Sequence, residues 1–207
     1  MGKGENSEID LPDDIKPTIE FHGHLCPGLV YGYLVAKEAI NLLGLKRSRD
    51  EEVVAICEND SCAVDALQVM LGTSAGKGNL ILKDYGKNAY TIINRTGQKA
   101  YRFARTKSYR YNGEAGKEFD RLDTAITAGT ATESQKWRHK LLKASDLLAR
   151  PFDDVFSTTE VEFVMPPFAP LARSIACAKC GEMTMATKMV ALDSGQQVCR
   201  PCHEQIK

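Results

Sequence analysis

Two stretches of the chain carry side chains able to bind a metal or perform thiol chemistry. Near the start, residues 21–28 read FHGHLCPG, with His22, His24 and Cys26 at alternate positions. Near the end, Cys177, Cys180, Cys199 and Cys202 form C-x2-C, eighteen residues, then C-x2-C. Imidazole nitrogen and thiolate sulfur are the donors that zinc and its transition-metal neighbours favour. Each C-x2-C pair places two thiolates on one tight turn, where a single tetrahedral zinc takes both. The residues between the pairs are numerous enough to fold as a hairpin, TMATKMVAL then QQVC, and CRPCHEQIK can begin a terminal helix, as in a treble clef. Four protein ligands leave no open position, so the expected role of this zinc is structural, in a module too small to fold without it. Free thiols or two local disulfides are the alternatives, and His203 is a conceivable substitute ligand.

The opening cluster calls for different reasoning. Pro27 disfavours the α region for Cys26, so the segment is expected to be extended, with alternate side chains on one face. Three N/S donors then lack one partner. The candidate is Cys62 in ENDSCAVDA, expected in the first turn of a helix capped near Asp60 or Ser61, where the dipole lowers a thiol pKa. Asp60 and Asp65 are carboxylates able to orient a histidine or pass a proton. On this reading His22, His24, Cys26 and Cys62 hold a second zinc or another transition metal, and Cys26, Cys62, Asp60 and Lys77 are the residues for chemistry. The same residues also suit a capped turn with imidazoles bonded to backbone carbonyls, and Cys62 also suits plain packing at a helix start. Cys57, inside an apolar run, reads as buried. GTSAGKGN, residues 72–79, makes a poor phosphate loop, because Gly78 stands where Ser or Thr should follow Lys77. It fits either an anion-binding turn presenting Lys77 or a plain helix-to-strand connection.

The elements that must position these groups follow from periodicity. DDIKPTIEFHGH predicts a short helix running into the cluster, and LVYGYLVAKEAINLLG an amphipathic helix stopped by Gly44. EEVVAICEN predicts a buried strand and DSCAVDALQVMLG a helix. NLILKDYG, AYTIINRTG and AYRFART predict consecutive strands of a β-meander. GEAGKEFDRLDTAITAG and TESQKWRHKLLKASDLLAR predict two helices, and DVFSTTEVEFVM a late strand. The fold class is therefore α+β, an antiparallel sheet with packed helices, plus a small cysteine module. The expected division is a flexible start at 1–14, a core domain at 15–165 and a zinc-finger module at 172–207, with the proline-rich PPFAPLARS marking the boundary.

Composition bounds the function. At 43% hydrophobic and 26% charged residues the 207-residue chain suits a globular protein with a sizeable core. Lys+Arg and Asp+Glu both total 27, so no global charge draws it to nucleic acid or an anionic membrane. No apolar run approaches the ~18 residues of a membrane span, and the acidic, polar start differs from a signal peptide. Seven cysteines, an odd number, argue for a reducing compartment and metal or thiol chemistry rather than a disulfide framework. The expected location is cytoplasmic. Residues 95–121 hold eight Lys/Arg against three Asp/Glu, interleaved with Tyr101, Phe103, Tyr109 and Tyr111. Such interleaving can bind single-stranded nucleic acid, but a solvated strand face with its aromatics packed inward is the favoured reading. The tail, with five Lys/Arg against three Asp/Glu over 172–207, is a weak phosphate-binding surface.

Together, FHGHLCPGLVYGY, ENDSCAVDALQVMLG, GKGNLILKDYGKNAYTI and the four-cysteine tail resemble the FmdE family of formylmethanofuran dehydrogenase proteins, over about residues 15–107 and 172–207. The resemblance implies an α+β core, commonly dimeric, with a C-terminal treble-clef zinc finger in some members. It also implies association with a molybdenum or tungsten oxidoreductase. The functional expectation is an accessory or redox/one-carbon-associated metalloprotein, with a non-catalytic assembly protein as the alternative. One departure stands out: the family's glycine turn reads GCTxGKGN, whereas this chain has Thr73 in place of that cysteine.

Overall fold

The computed structural model describes residues 11–205, and the chain divides into two compact units, one ending at Phe168 and the other beginning at Ala169. Residues 1–10 of the expected flexible start lie outside the described residues. Within that start, Asp13–Ile15 form a 3-10 turn that leads into α1, Lys16–His22. Pro17 occupies the first turn, where its missing N–H costs nothing. Gly23 ends α1 at φ 88°, its N–H bonded to the Ile19 carbonyl at 2.8 Å. That left-handed stop favours glycine.

Helix α2, Pro27–Leu43, buries Leu29, Val30, Tyr33, Val35 and Ala36, and α3 spans Ala63–Leu71. The two helices meet through glycines on one face of α2. A Cβ on Gly32 would lie 2.1 Å from the Ala63 carbonyl oxygen, so only a bare backbone permits the approach. One turn earlier, a Cβ on Gly28 would meet the Cys62 Cβ at 3.0 Å. These two residues fix how far α3 slides along α2, and so where its N-terminus lies relative to Cys26.

The sheet contains β1 (Val53–Cys57), β2 (Leu80–Leu82), β3 (Ala89–Asn94), β4 (Lys99–Arg105) and β5 (Phe156–Glu160), in the order β2-β1-β3-β4-β5. Tyr90 pairs with Phe103 and Phe103 with Thr158 in antiparallel ladders. The expected meander is corrected at one place: β2 runs parallel to β1, with Ala55 opposite Leu80, and β1 lies between β2 and β3. The cause is local. Asn79 donates its side-chain amide to the carbonyls of Val53 (2.8 Å) and Asp50 (3.1 Å) and accepts the Ala55 N–H on its own backbone carbonyl (2.9 Å), pinning the start of β2 to β1. β1, apolar on both faces, gains a neighbour on each side, and α3 makes the crossover.

Two helices complete this unit: α4, Gly116–Thr127, and α5, Glu133–Leu148. Thr132 caps α5 in a reciprocal capping box with Gln135. Ala144 and Leu147 of α5 join the main core with α2, α3 and the sheet, while Phe119, Leu122 and Leu142 form a satellite cluster. The aromatics of the basic segment are engaged by packing. Phe103 is buried, Tyr109 donates its hydroxyl to Asp146 at 2.6 Å, and Tyr111 stacks on Phe119 at 4.3 Å. Among the described residues, no helix is long and apolar enough to cross a membrane.

The second unit contains β6 (Ser174–Ala176), β7 (Met183–Met185), β8 (Met189–Ala191), β9 (Gln197–Cys199) and α6 (Arg200–Glu204). β6 pairs with β7 and β8 with β9, both antiparallel, so TMATKMVAL divides between two hairpins rather than forming one arm of a single hairpin. Its buried residues are Cys177, Val198, Cys199 and Cys202, three of them thiols. A core this small supplies little hydrophobic stabilisation by itself.

Candidate metal centres

In the tail, β6 delivers Cys177 to a tight turn closed by the Gly181 N–H on the Cys177 carbonyl at 2.9 Å, with Gly181 at φ 77°. Cys199 ends β9 and stands at the N-cap of α6, which places Cys202 in the helix's first turn. Sulfurs of all four cysteines lie within 4.8 Å of one another. Cys180 Sγ and Cys199 Sγ are 3.8 Å apart, too far for a bond. Two sulfurs on one tetrahedral zinc stand about 3.8 Å apart, given Zn–S near 2.3 Å. The N–H groups of Cys180 and Cys199 bring the Cys177 thiol down to about 6, the Cys199 N–H lying 3.3 Å from its sulfur. Cys202 is pushed up to about 12 by neighbouring sulfurs, that of Cys199 foremost. A dication bound among the sulfurs favours their thiolate forms. The donor set and the spacing both fit a closed zinc module.

In the core unit, three separate elements bring the donors together. His22 closes α1, Gly23 turns the chain, and Cys26 stands at the N-cap of α2 with φ −148° and ψ 161°. The segment is therefore not extended throughout, as the alternate spacing suggested. Cys26, before Pro27, is extended as expected, but His22 is helical and Gly23 is left-handed. Ligand atoms of His22, His24 and Cys26 nevertheless lie within 4.8 Å of one another. The His22 and His24 rings have centroids 4.6 Å apart.

His22 is held by α3: its Nδ1 is 2.7 Å from Asp65 Oδ2. A carboxylate at that position calls for Nδ1–H, and in the neutral ring that tautomer puts the lone pair on Nε2. That Nε2 lies 3.7 Å from Cys26 Sγ. One nitrogen and one sulfur on a tetrahedral metal stand about 3.6 Å apart, from Zn–N near 2.05 Å and Zn–S near 2.3 Å. Cys26 Sγ also accepts the Leu29 N–H at 3.4 Å, at the positive end of α2. Partial burial lowers the His24 pKa, followed by the charges of His22 and Lys140, so its imidazole keeps its lone pair to lower pH. The donor chemistry and this spacing fit a metal with three protein ligands.

Cys62 is not one of those three residues, but its sulfur lies 3.5 Å from the point where a Gly28 Cβ would stand, with Cys26 Sγ at 3.9 Å from the same point. Its pKa is raised rather than lowered, first by burial and then by the adjacent Cys26. Cys62 is itself the N-cap of α3 and makes no capping bond, so it does not lie in the first turn as expected. Asn59 organises the turn instead, accepting the Ser61 N–H at 3.1 Å and the Ser61 hydroxyl at 2.8 Å. Asp60 is exposed, and Asp65 is the carboxylate that engages a histidine. Lys77 donates to the carbonyls of Gly72 and Ser48, which ties its ammonium to the loop it closes. Thr73 is buried just beyond the C-terminal end of α3, with its hydroxyl on the Leu67 carbonyl at 3.4 Å. Burial pushes Cys57 up to about 12.

One neighbour escaped the sequence reading. Trp137, on the first half of α5, has its ring 6.5 Å from that of His24. It begins a stripe continued by Leu141, Ala144 and Leu148 at helical spacing, the part of which beyond Trp137 packs on the core. The only sequence signal was a tryptophan at the open end of that stripe.

A sequence family described as FmdE, molybdenum formylmethanofuran dehydrogenase operon, matches residues 21–158, which include His22, His24, Cys26, Cys62 and α5. A protein of Archaeoglobus fulgidus, named a probable S-adenosyl-L-methionine-binding protein, is 31% identical over 184 residues, covering 82% of this chain and 48% of that protein. The chain thus spans about half the length of the curated relative it matches. The crystal structure of a tungsten formylmethanofuran dehydrogenase FmdE-like protein from Syntrophus aciditrophicus is similar at a TM-score of 0.59 and 17% identity, covering 92% of this chain and 90% of that one. At that identity the likeness concerns the fold.

Proposed function

The chain belongs to the FmdE family, and from that premise we propose that it is a two-site metalloprotein acting as an accessory to one-carbon or redox chemistry. The core site consists of His22, His24 and Cys26, with Cys62 beside it, and takes zinc or another transition metal. The tail, residues 172–207, is a structural zinc finger held by Cys177, Cys180, Cys199 and Cys202. The proposed setting is cytoplasmic, as a homodimer associated with molybdenum or tungsten oxidoreductase subunits.

The observation carrying this reading is His22: its Nδ1 is held by Asp65 at 2.7 Å while its Nε2 faces Cys26 Sγ at 3.7 Å. A histidine fixed in that tautomer beside a thiol is the arrangement of a metal ligand with its orienting carboxylate. Three protein donors leave a coordination position for water or substrate, and a metal bound there supplies Lewis-acid activation. Asp65 orients His22, the α2 N-terminus directs the Leu29 N–H at Cys26 Sγ, and burial limits water around both.

Metal analysis of the full-length protein tests the proposal. About two metal ions per chain are expected in the wild type and about one in His24→Ala. One ion per chain in both proteins would refute the core site. A second reading, an assembly protein without chemistry, draws on the closed four-thiolate tail. It expects a stable protein partner whose binding survives Cys26→Ser.

A further inference from the structure

The metal clusters leave the basic segment unused, and its cations gather around a cavity of their own. The backbone builds it. At the end of β4 the Arg105 N–H bonds the Asn88 carbonyl at 2.9 Å, which sets the loop before β3 against the strand end. That loop is itself tied down: the Lys87 N–H reaches the Glu58 carbonyl at 3.0 Å, and the Lys87 carbonyl accepts the Asn59 amide at 2.6 Å. Lys87, Arg102, Arg105 and Lys107, with Thr106 and Ser108, line the resulting cavity of about 320 Å³. No carboxylate lines it.

Lys107 and Ser108 also line a second cavity of about 970 Å³, together with Arg110, Arg150, Glu114, Asp146 and Asp154, so the two adjoin along the chain. Behind the small cavity, Glu58 holds Arg102 through two bonds of 2.8 and 3.0 Å. Every charged residue of both cavities, with Glu58 at its full charge, makes six cations against four carboxylates. The carboxylates belong to the large cavity or to the Arg102 pair, so the excess falls on the small one. Arg105 is fixed there by an aromatic face, its guanidinium 5.1 Å from the centre of the Tyr31 ring. An excess of about two charges matches a phosphate group, which carries about −1.5 to −2 at pH 7. A strand of bases fits less well, because Phe103 is buried, Tyr109 bonds Asp146 and Tyr111 stacks on Phe119.

We propose that the small cavity binds a phosphate group, either free or as the head of a small phosphate monoester. Lys87, Arg105 and Lys107 hold the dianion, and the body of a monoester extends past Lys107 and Ser108 into the larger cavity. The site shares no residue with either metal cluster and stands whether or not the metal reading does.

Amide NMR of the full-length protein, titrated at fixed ionic strength with inorganic phosphate, adenosine monophosphate and adenosine, tests the proposal. Saturable shifts at the amides of Asn88 and residues 105–108 are expected with the two phosphates and none with adenosine. Lys87 and Lys107 are exposed, so replacing them leaves the core intact. Lys87→Gln with Lys107→Gln should weaken binding about tenfold, and Lys87→Arg with Lys107→Arg should restore it, as a charge-assisted contact requires. Tighter binding of the monophosphate than of phosphate identifies a monoester site, and equal binding a site for free phosphate; both uphold the proposal. Absence of saturable shifts, wild-type affinity in the double glutamine variant, or shifts confined to the amides of His22 and His24 would overturn it. So would a short oligothymidylate that binds more tightly with each added nucleotide, which would make the segment a nucleic-acid surface.

Discussion

The two candidate centres use similar donors but are built by opposite routes. In the tail, each cysteine pair lies on a single turn, and the buried residues are mostly the ligands themselves. In the core, the donors come from the end of α1, the linker and the N-cap of α2, held in register by α3, and each element is anchored in a core that forms without them. On the proposed reading, the first site needs its metal for its shape, whereas the second has its shape already and offers it to a metal. A closed shell with four thiolates therefore reads as a staple, and an open shell of three donors as a place for chemistry.

The largest contrast should appear on metal removal. Chelation, or Cys199→Ser, should unfold residues 173–205, since a structural zinc contributes on the order of 10 kcal/mol to such modules. The core's thermal transition should persist, as followed by proteolysis and amide NMR. Joint loss of both units would break the comparison. The reverse experiment is Gly32→Ala. A Cβ 2.1 Å from a backbone oxygen forces α2 and α3 apart, which should cost the core about 3 kcal/mol and lower its melting temperature by roughly 6–12 °C. The tail's metal content should be unaffected.

A smaller effect isolates the orienting carboxylate. Asp65→Asn removes the anion that fixes the His22 tautomer, so affinity at the core site should fall about 10–100-fold while the tail holds its metal. Competition against a chromophoric chelator measures both. An unchanged core affinity would mean that Asp65 serves α1–α3 packing alone. Smallest is Thr132→Ala, which removes the α5 capping bond at 3.3 Å and should cost about 1 kcal/mol in denaturant unfolding, with the metal content unchanged.

The same contrast explains what the sequence made legible. The tail was readable because the spacing of Cys177 and Cys180, and of Cys199 and Cys202, is itself the geometry: partners within one turn need no knowledge of the rest of the fold. The core cluster was readable as a set of residue types but not as a conformation. An extended segment was expected, whereas Gly23 at φ 88° converts a helix end into the turn that gathers the donors. The pKa of Cys62 was expected to fall at a helix start, yet burial and Cys26 raise it. That outcome depends on how Gly28 and Gly32 set α3 against α2, and no periodicity announces such a close approach. The helices and β1 followed from their apolar patterns, but Leu80–Leu82 carries no mark of pairing direction. Its parallel partner was fixed by Asn79, one residue before the strand. Trp137 reaches His24 only through the packing of α5, a long-range fact that local sequence does not encode.

The central claim concerns where the metals lie. Anomalous scattering from crystals of the full-length protein, collected at the absorption edge of the bound metal, gives the position and neighbours of every ion. Two peaks per chain are expected, one among Cys177, Cys180, Cys199 and Cys202 and one about 2.0–2.3 Å from His22 Nε2 and Cys26 Sγ. A lone peak in the tail, with His22 still bonded to Asp65 and Cys26 bare, would contradict it.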